Sequence, residues 1–286
     1  MSHEHSSRLD QLIAETRDII SPPLIYNRLN DAVNHPRTSI KDIAQIISED
    51  PGLTARILKL ANSPFYGSTK IDSISRAVTL LGTREIRDIS LALSVVQCFP
   101  EMPEDLFSLQ DHWRHSIACG VMARNIAIFL REPSIERFFV AGILHDIGQM
   151  VLCAKMPDIT LQILKHTEEQ PQALCSAEYE RFNFNHAELG GKLLNSWGIP
   201  ANISELVRLH HTPSESCDFQ RDVTIIHLAD LICQALAYGS NSEIHVTRID
   251  SKAYDGLNLP LGEIETIVNQ SDRQLEEIFP ILLEAK

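Results

Sequence analysis

The 286-residue chain is poor in positive charge: 25 lysines and arginines stand against 38 aspartates and glutamates, a formal charge of −13. That field repels phosphate backbones and excludes broad nucleic-acid binding. No apolar run reads as long enough to span a bilayer, so no membrane partner is expected. The polar start, Met1-Ser2-His3-Glu4-His5, lacks a signal-peptide core, and His3 and His5 read as a solvated tail. The six cysteines, Cys98, Cys119, Cys153, Cys175, Cys217 and Cys233, form no Cys-x-x-Cys pair. Most lie among apolar residues, so reduced, buried thiols in a cytoplasmic protein are expected, not disulfides or a thiolate metal site. Strand-like alternation beyond a few residues, repeats and low-complexity tracts are also missing. What is present, 44% hydrophobic and 22% charged residues, is ordinary for a globular chain with a sizeable core.

The patterning is helical almost throughout, and the fold class expected is all-α. Thr38-Ser39 caps a helix over 40–47. Asp50-Pro51 opens another that stops at Asn62-Ser63-Pro64, and Gly82 ends a helix over 73–81. The proline-rich, acidic stretch from Phe99 to Asp105 reads as a lobe boundary. The expected organisation is an N-terminal helical lobe (1–102), a second helical lobe (103–240) and C-terminal helices (241–286), the last read as a pair over 261–268 and 272–283.

The second lobe holds the unusual chemistry. His145 and Asp146 sit in a nearly unbroken apolar run from Phe138 to Leu152. Burying such groups costs on the order of 2–7 kcal/mol each unless they are paired or bind something. Partners are spaced for helices: Asp111 and His115 are four apart, and His227 and Asp230 three apart, so each pair shares a face. His186 and His210-His211 complete the set. Imidazoles with carboxylates are the donors of a divalent-metal site, and a mixed N/O set suits Fe, Mn, Zn or Mg. Neighbours on a helix point about 100° apart, so one centre could use only one of His210 and His211. His112, His166 and His245 read as ordinary core or surface histidines.

The pattern resembles the HD superfamily of metal-dependent phosphohydrolases, and more closely its HDOD branch. Besides the His-Asp pair, the HDOD-like features are Asp50-Pro51-Gly52-Leu53-Thr54, Leu60-Ala61-Asn62-Ser63-Pro64-Phe65-Tyr66-Gly67, Ile74-Ser75, Ala77 and Leu80-Leu81-Gly82, and the likeness covers roughly residues 20–215. It implies a helical bundle with a metal on His115, His145, Asp146 and Asp230. It also implies a regulatory output role in bacterial signalling. The additional His186, His210 and His211 resemble the two-metal set of the related HD-GYP domains, with Asp146 as the bridge and Asp111 where some carry a further carboxylate ligand. The chain departs from HD-GYP in two places. Gln149 replaces the Lys expected after His-Asp-x-Gly, and Thr212-Pro213-Ser214-Glu215-Ser216 replaces the Gly-Tyr-Pro segment. The N-terminal motif has a purely structural reading, as helix starts and stops.

Two functions follow as expectations. One is a signalling module that binds other signalling proteins and keeps a metal centre, with two ions, Fe or Mn ahead of Zn or Mg. The other is a metal-dependent phosphohydrolase acting on a phosphate ester or nucleotide, with Asp146 as its catalytic carboxylate and Arg114, Lys155 or Arg208 as phosphate-facing cations. The helices after Asp230 offer a surface for a homodimer or simply finish the core.

Overall fold

A computed structural model describes residues 2–16, 23–67, 70–99, 108–170, 172–239 and 246–283. Every regular element among them is helical. In order they are α1 (Ser2–Thr16), α2 (Leu24–Asn34), α3 (Ile40–Ser48), α4 (Pro51–Ala61), α5 (Ile74–Leu81), α6 (Thr83–Cys98), α7 (Leu109–Phe129), α8 (Glu136–Leu144), α9 (Ile147–Lys155), α10 (Pro157–Glu169), α11 (Leu174–Phe182), α12 (His186–Ser196), α13 (Ala201–Arg208), α14 (Gln220–Ala235), α15 (Ser251–Leu257) and α16 (Leu261–Leu283). The all-α expectation holds.

The helices group into two units, Met1–Ser21 with Pro100–Ile267, and Pro22–Phe99 with Val268–Lys286. Helix α1 therefore belongs with the later bundle rather than with the N-terminal lobe. Asp10 pairs with Lys192 on α12 at 2.6 Å, and Arg8 lies 5.8 Å over the Phe182 ring. The lobe boundaries expected near 102 and 240, with His245, lie outside the described residues, as do the side chains of His3 and His5. The expected C-terminal helix pair is one continuous helix, α16. Asn269-Gln270-Ser271 is polar but contains no proline or glycine, and Ser271 is buried.

In the unit containing 22–99, the N-terminal motif makes the fold's own hydrogen bonds. Asp50 caps α4 by accepting from the Leu53 N–H at 2.9 Å, with Pro51 at the first helical position. Asn62 donates to the carbonyls of Leu58 and Ile71, both at 2.7 Å, and accepts from the Ile71 N–H at 2.8 Å. One amide side chain thus closes α4 and pins the following loop, which is the structural reading of Asn-Ser-Pro. Ser39 and Asp42 form a reciprocal capping box on α3.

In the other unit, α7, α8, α9, α12, α13 and α14 form a bundle drawn together by glycines. A Cβ on Gly142 of α8 would lie 2.6 Å from the Gly120 backbone of α7. A Cβ on Gly148 of α9 would lie 1.9 Å from the His186 carbonyl oxygen at the start of α12. Only hydrogen fits at either crossing, so the backbones meet directly. Contrary to the expectation that no run is long enough, Glu136–Lys155 is long and apolar enough by composition to cross a membrane, but 89% of its apolar window is buried inside the protein. It is also not one helix, because the chain turns at Asp146 (φ −99°, ψ 14°) between α8 and α9.

Candidate metal centre

That turn brings His145 and Asp146 to the inside of the bundle, where both are buried. Glycine crossings on either side carry α7 and α12 close enough for their side chains to reach the same point. Asp146 lies between two groups of donors. Its Oδ2 is 3.1 Å from His145 Nε2, while its Oδ1 is 3.3 Å from His186 Nε2 and 3.7 Å from His210 Nε2. On the first side, Asp230 Oδ1 stands 3.0 Å from His115 Nε2 and 3.6 Å from His145 Nε2. On the second, His211 Nε2 is 2.8 Å from His186 Nε2. Donor atoms of His115, Cys119, His145 and Asp230 lie within 4.8 Å of one another, as do those of His186, His210 and His211, and those of His145, Asp146 and His210.

The rings are oriented from behind. His145 Nδ1 meets the Gly142 carbonyl and His210 Nδ1 the Val207 carbonyl, both at 2.7 Å. His186 Nδ1 meets Glu178 Oε2 at 2.6 Å, and the same oxygen accepts from the His186 backbone N–H at 2.8 Å. A carbonyl or carboxylate on Nδ1 holds the proton there and leaves Nε2 with its lone pair turned inward, the arrangement that metal-ligating imidazoles adopt. The Nε2 atoms of His145 and His210 are buried and make no directed hydrogen bond. Leaving such atoms unsatisfied is costly, so the donor set fits a divalent cation. Gln234 steadies Asp230, donating to both carboxylate oxygens at 3.0 Å.

The charges are mutually supporting. Burial opposes ionisation of Asp146, but His145 and His186 hold its carboxyl well below the usual range. Asp230 is likewise depressed against burial by His115 and His145. Burial disfavours the charged form of His145, yet Asp146 and Asp230 raise it well above its ordinary value. His186 is raised in the same way by Glu178 and Asp146. Although Asp146 Oδ1 lies 3.7 Å away, His210 is pushed by burial and by the neighbouring His145 down to about 3.

Asp111 does not join these groups: half-buried in the first turn of α7, it lies one turn before His115. Cys119, one turn after His115, does join them, its Sγ 3.3 Å from His115 Nε2 and 4.0 Å from Asp230 Oδ1. His227 uses both ring nitrogens elsewhere, Nδ1 on the His210 carbonyl at 2.7 Å and Nε2 accepting from the Asp250 N–H at 3.2 Å, so it braces the His210 backbone. Sequence reading missed Cys119 and Glu178. The first was legible as four residues beyond His115; the second, eight residues before His186 and across a loop, had no periodic signal. Gln149 is buried on α9. Of the expected cations, Arg114 is exposed, Lys155 donates to the Glu15 carbonyl, and Arg208 is held by Glu205 at 2.6 and 3.0 Å. Arg208 and His211 nonetheless share a cleft of about 560 Å³ with Tyr179, Asn185, Glu188 and Thr212, so the half-buried His211 links the centre to the surface.

Comparison with known proteins agrees with this architecture. The sequence profile of the HDOD domain matches residues 19–213. An uncharacterized protein of Treponema pallidum (strain Nichols) is 24% identical over 197 residues, 68% of this chain and 38% of that protein, so the chain spans well under half of that relative's length. Among solved structures, an HDOD domain protein of unknown function from Geobacter sulfurreducens superposes with a TM-score of 0.74 at 24% identity, covering 98% of this chain and 99% of that one. A candidate phosphohydrolase from Shewanella amazonensis SB2B gives a TM-score of 0.74 at 23% identity, over 95% and 98% of the two chains. At these identities the likeness is one of fold.

Proposed function

The chain belongs to the HDOD domain family, and from that premise we propose that it is a bacterial signalling module whose helical bundle holds a two-metal centre. The observation that carries this is the position of Asp146, with one carboxylate oxygen toward His145 and the other toward His186 and His210. A carboxylate placed so is the natural bridge between two cations. His115, His145 and Asp230 would hold the first ion, and His186, His210 and His211 the second. Glu178 and the Gly142 and Val207 carbonyls keep the imidazoles aimed. Iron or manganese is the favoured occupant for a set dominated by imidazole and carboxylate. Partners would be other signalling proteins, which read the occupancy of the centre through the helices that carry its ligands.

A second reading, phosphohydrolase, is favoured by the cleft that reaches His211. Bound divalent cations would supply charge stabilisation of a phosphoryl group and acidify water. Asp146 would orient the attacking water, and Arg208 would meet the phosphate at the mouth of the cleft. Against it, the buried Gln149 puts a neutral amide where the resemblance to HD-GYP domains implies a lysine.

The test of the metal reading is elemental analysis after anaerobic reconstitution with Fe(II) or Mn(II). Two ions per chain are expected, and at most one after Asp146→Ala. A chain that retains no metal would refute the centre altogether. Turnover of phosphodiesters or cyclic dinucleotides that disappears in Asp146→Ala would displace the purely regulatory reading.

A further inference from the structure

We infer that the Cys119 thiolate is a ligand of the first metal, making that pocket a sulfur-containing site of Cys119, His115, His145 and Asp230. The inference rests on the metal centre proposed above and adds to it a donor that the His and Asp pattern does not contain. Four donor atoms of these residues lie within 4.8 Å of one another, and all four residues are buried. Cys119 follows His115 by one helical turn, so both project from the same face of α7 toward Asp230 on α14. Cys119 Sγ is 3.3 Å from His115 Nε2 and 4.0 Å from Asp230 Oδ1, the two atoms that a cation in this pocket would contact first. His145 Nε2, fully buried, faces the same pocket with carboxylate oxygens of Asp146 at 3.1 Å and Asp230 at 3.6 Å, neither in directed hydrogen-bond geometry. On the opposite side of His115, Asp111 is half-buried and outside the group, so sulfur rather than a further carboxylate completes the donor set on α7.

The chemistry balances simply. The thiol loses its proton to solvent, the sulfur lone pair enters the coordination bond, and no electron changes hands. A divalent ion in the pocket supplies the charge that stabilises the thiolate. The competing role for Cys119 is a core thiol that shares hydrogen bonds with Cys233, His115 and Asp230 and binds no metal. The two roles differ in metal preference: a thiolate favours zinc, cobalt and ferrous iron over manganese and magnesium.

The experiment is to load the full chain anaerobically with Co(II) and record its absorption spectrum. A sulfur-to-cobalt charge-transfer band in the near ultraviolet is expected beside the visible d–d bands. Cys119→Ser should lose the former and keep the latter, while Cys233→Ser should keep both. In competition, Cys119→Ser should shift the zinc-over-manganese preference toward manganese by on the order of tenfold or more. If Cys119→Ser does not fold, X-ray absorption on the zinc-loaded wild-type protein decides, with a sulfur shell at about 2.3 Å expected. Visible d–d bands with no charge-transfer band, or no sulfur shell, would overturn the cysteine ligand and leave the metal centre standing. Loss of the band in Cys233→Ser alone would move the ligand to Cys233 and equally overturn it. An absence of any cobalt bands would instead refute the metal centre itself.

Discussion

Glu178 offers the sharpest test of how the second half of the centre is held. Its Oε2 accepts two hydrogen bonds from one residue, from the His186 backbone N–H at 2.8 Å and from His186 Nδ1 at 2.6 Å. Both are buried, and the carboxylate makes both charge-assisted. Glu178→Gln keeps an oxygen that can accept from the same donors but removes the charge. A charged hydrogen bond contributes about 1 kcal/mol more than a neutral one, so two of them imply a loss of about 2 kcal/mol. Glu178→Ala leaves two buried donors unsatisfied at about 1–3 kcal/mol each, and should lose about 2–6 kcal/mol. The functional effect is separable from the structural one. Without a carboxylate behind it, His186 is a weaker and less fixed ligand, so affinity for the second ion should fall by about 10–100-fold in Glu178→Gln, while the first is unaffected. Urea denaturation of metal-free protein gives the stability change, and stepwise metal titration followed by calorimetry gives the two affinities. A folded Glu178→Gln protein that binds both ions with wild-type affinity would show that Glu178 only fills the core and that the orienting argument is wrong.

Other outcomes follow from the same geometry. Gly148→Ala puts a methyl group 1.9 Å from the His186 carbonyl oxygen, so α9 and α12 must separate; a loss of about 3 kcal/mol is expected, with weaker binding of the ion at His186, and an unchanged melting curve would contradict the direct backbone crossing. Asp88, buried beside Arg87 in the other unit, has its carboxyl raised by burial from 3.8 to about 6. Between those values the native state keeps a proton that the unfolded chain releases, so this group's contribution falls as pH rises, by about 3 kcal/mol across the window. Asp88→Asn should therefore change stability by an amount that shifts in its favour between pH 4 and pH 7; a pH-independent difference would refute the assignment. The two proposed pockets differ in their donors, so calorimetric metal titration should show two unequal binding events, and a single uniform event would count against two distinct sites.

The sequence carried the all-α class, most helix starts and the HDOD likeness, because these depend on local capping and on periodicities of three and four residues. Asp50-Pro51, Ser39 and Asn62 act where they were read, since their hydrogen-bond partners lie within a few residues or a single loop. Within the apolar run from Phe138 to Leu152, the polar His145-Asp146 pair reads as a helix end where both side chains can turn toward a common centre, and the structure ends α8 at Leu144 and turns the chain at Asp146. The long α16 was divided because its middle is polar, although nothing there prevents a helix. At the site, the residues brought together by helix crossings were named without knowledge of the crossings, through residue type alone. That route fails for Glu178, one carboxylate among many, and for Cys119, whose apolar neighbours suggested a core thiol. It also gave His227 a place beside Asp230 that the structure assigns to bracing the backbone.

The energetic logic of the bundle argues that this cluster is kept for what it binds. Asp146, Asp230, Glu178, His115, His145, His186 and His210 are all buried, in a core where apolar residues of similar volume would be cheaper. Removing one member strands its partner, so the group resists piecemeal loss, but pairing within it does not satisfy every atom: His210 Nε2 faces inward without a hydrogen bond, its nearest carboxylate oxygen 3.7 Å away on Asp146. Protons on His145 and His186 offset carboxylate charge in the metal-free protein, as their raised pKa values require. They do nothing for His210, which burial keeps neutral. A cation between Asp146 and these rings would offset the carboxylate charge and take up the His210 lone pair together, whereas protons on His145 and His186 leave that lone pair unsatisfied. That asymmetry, more than the number of histidines, is the physical argument for metal at Asp146.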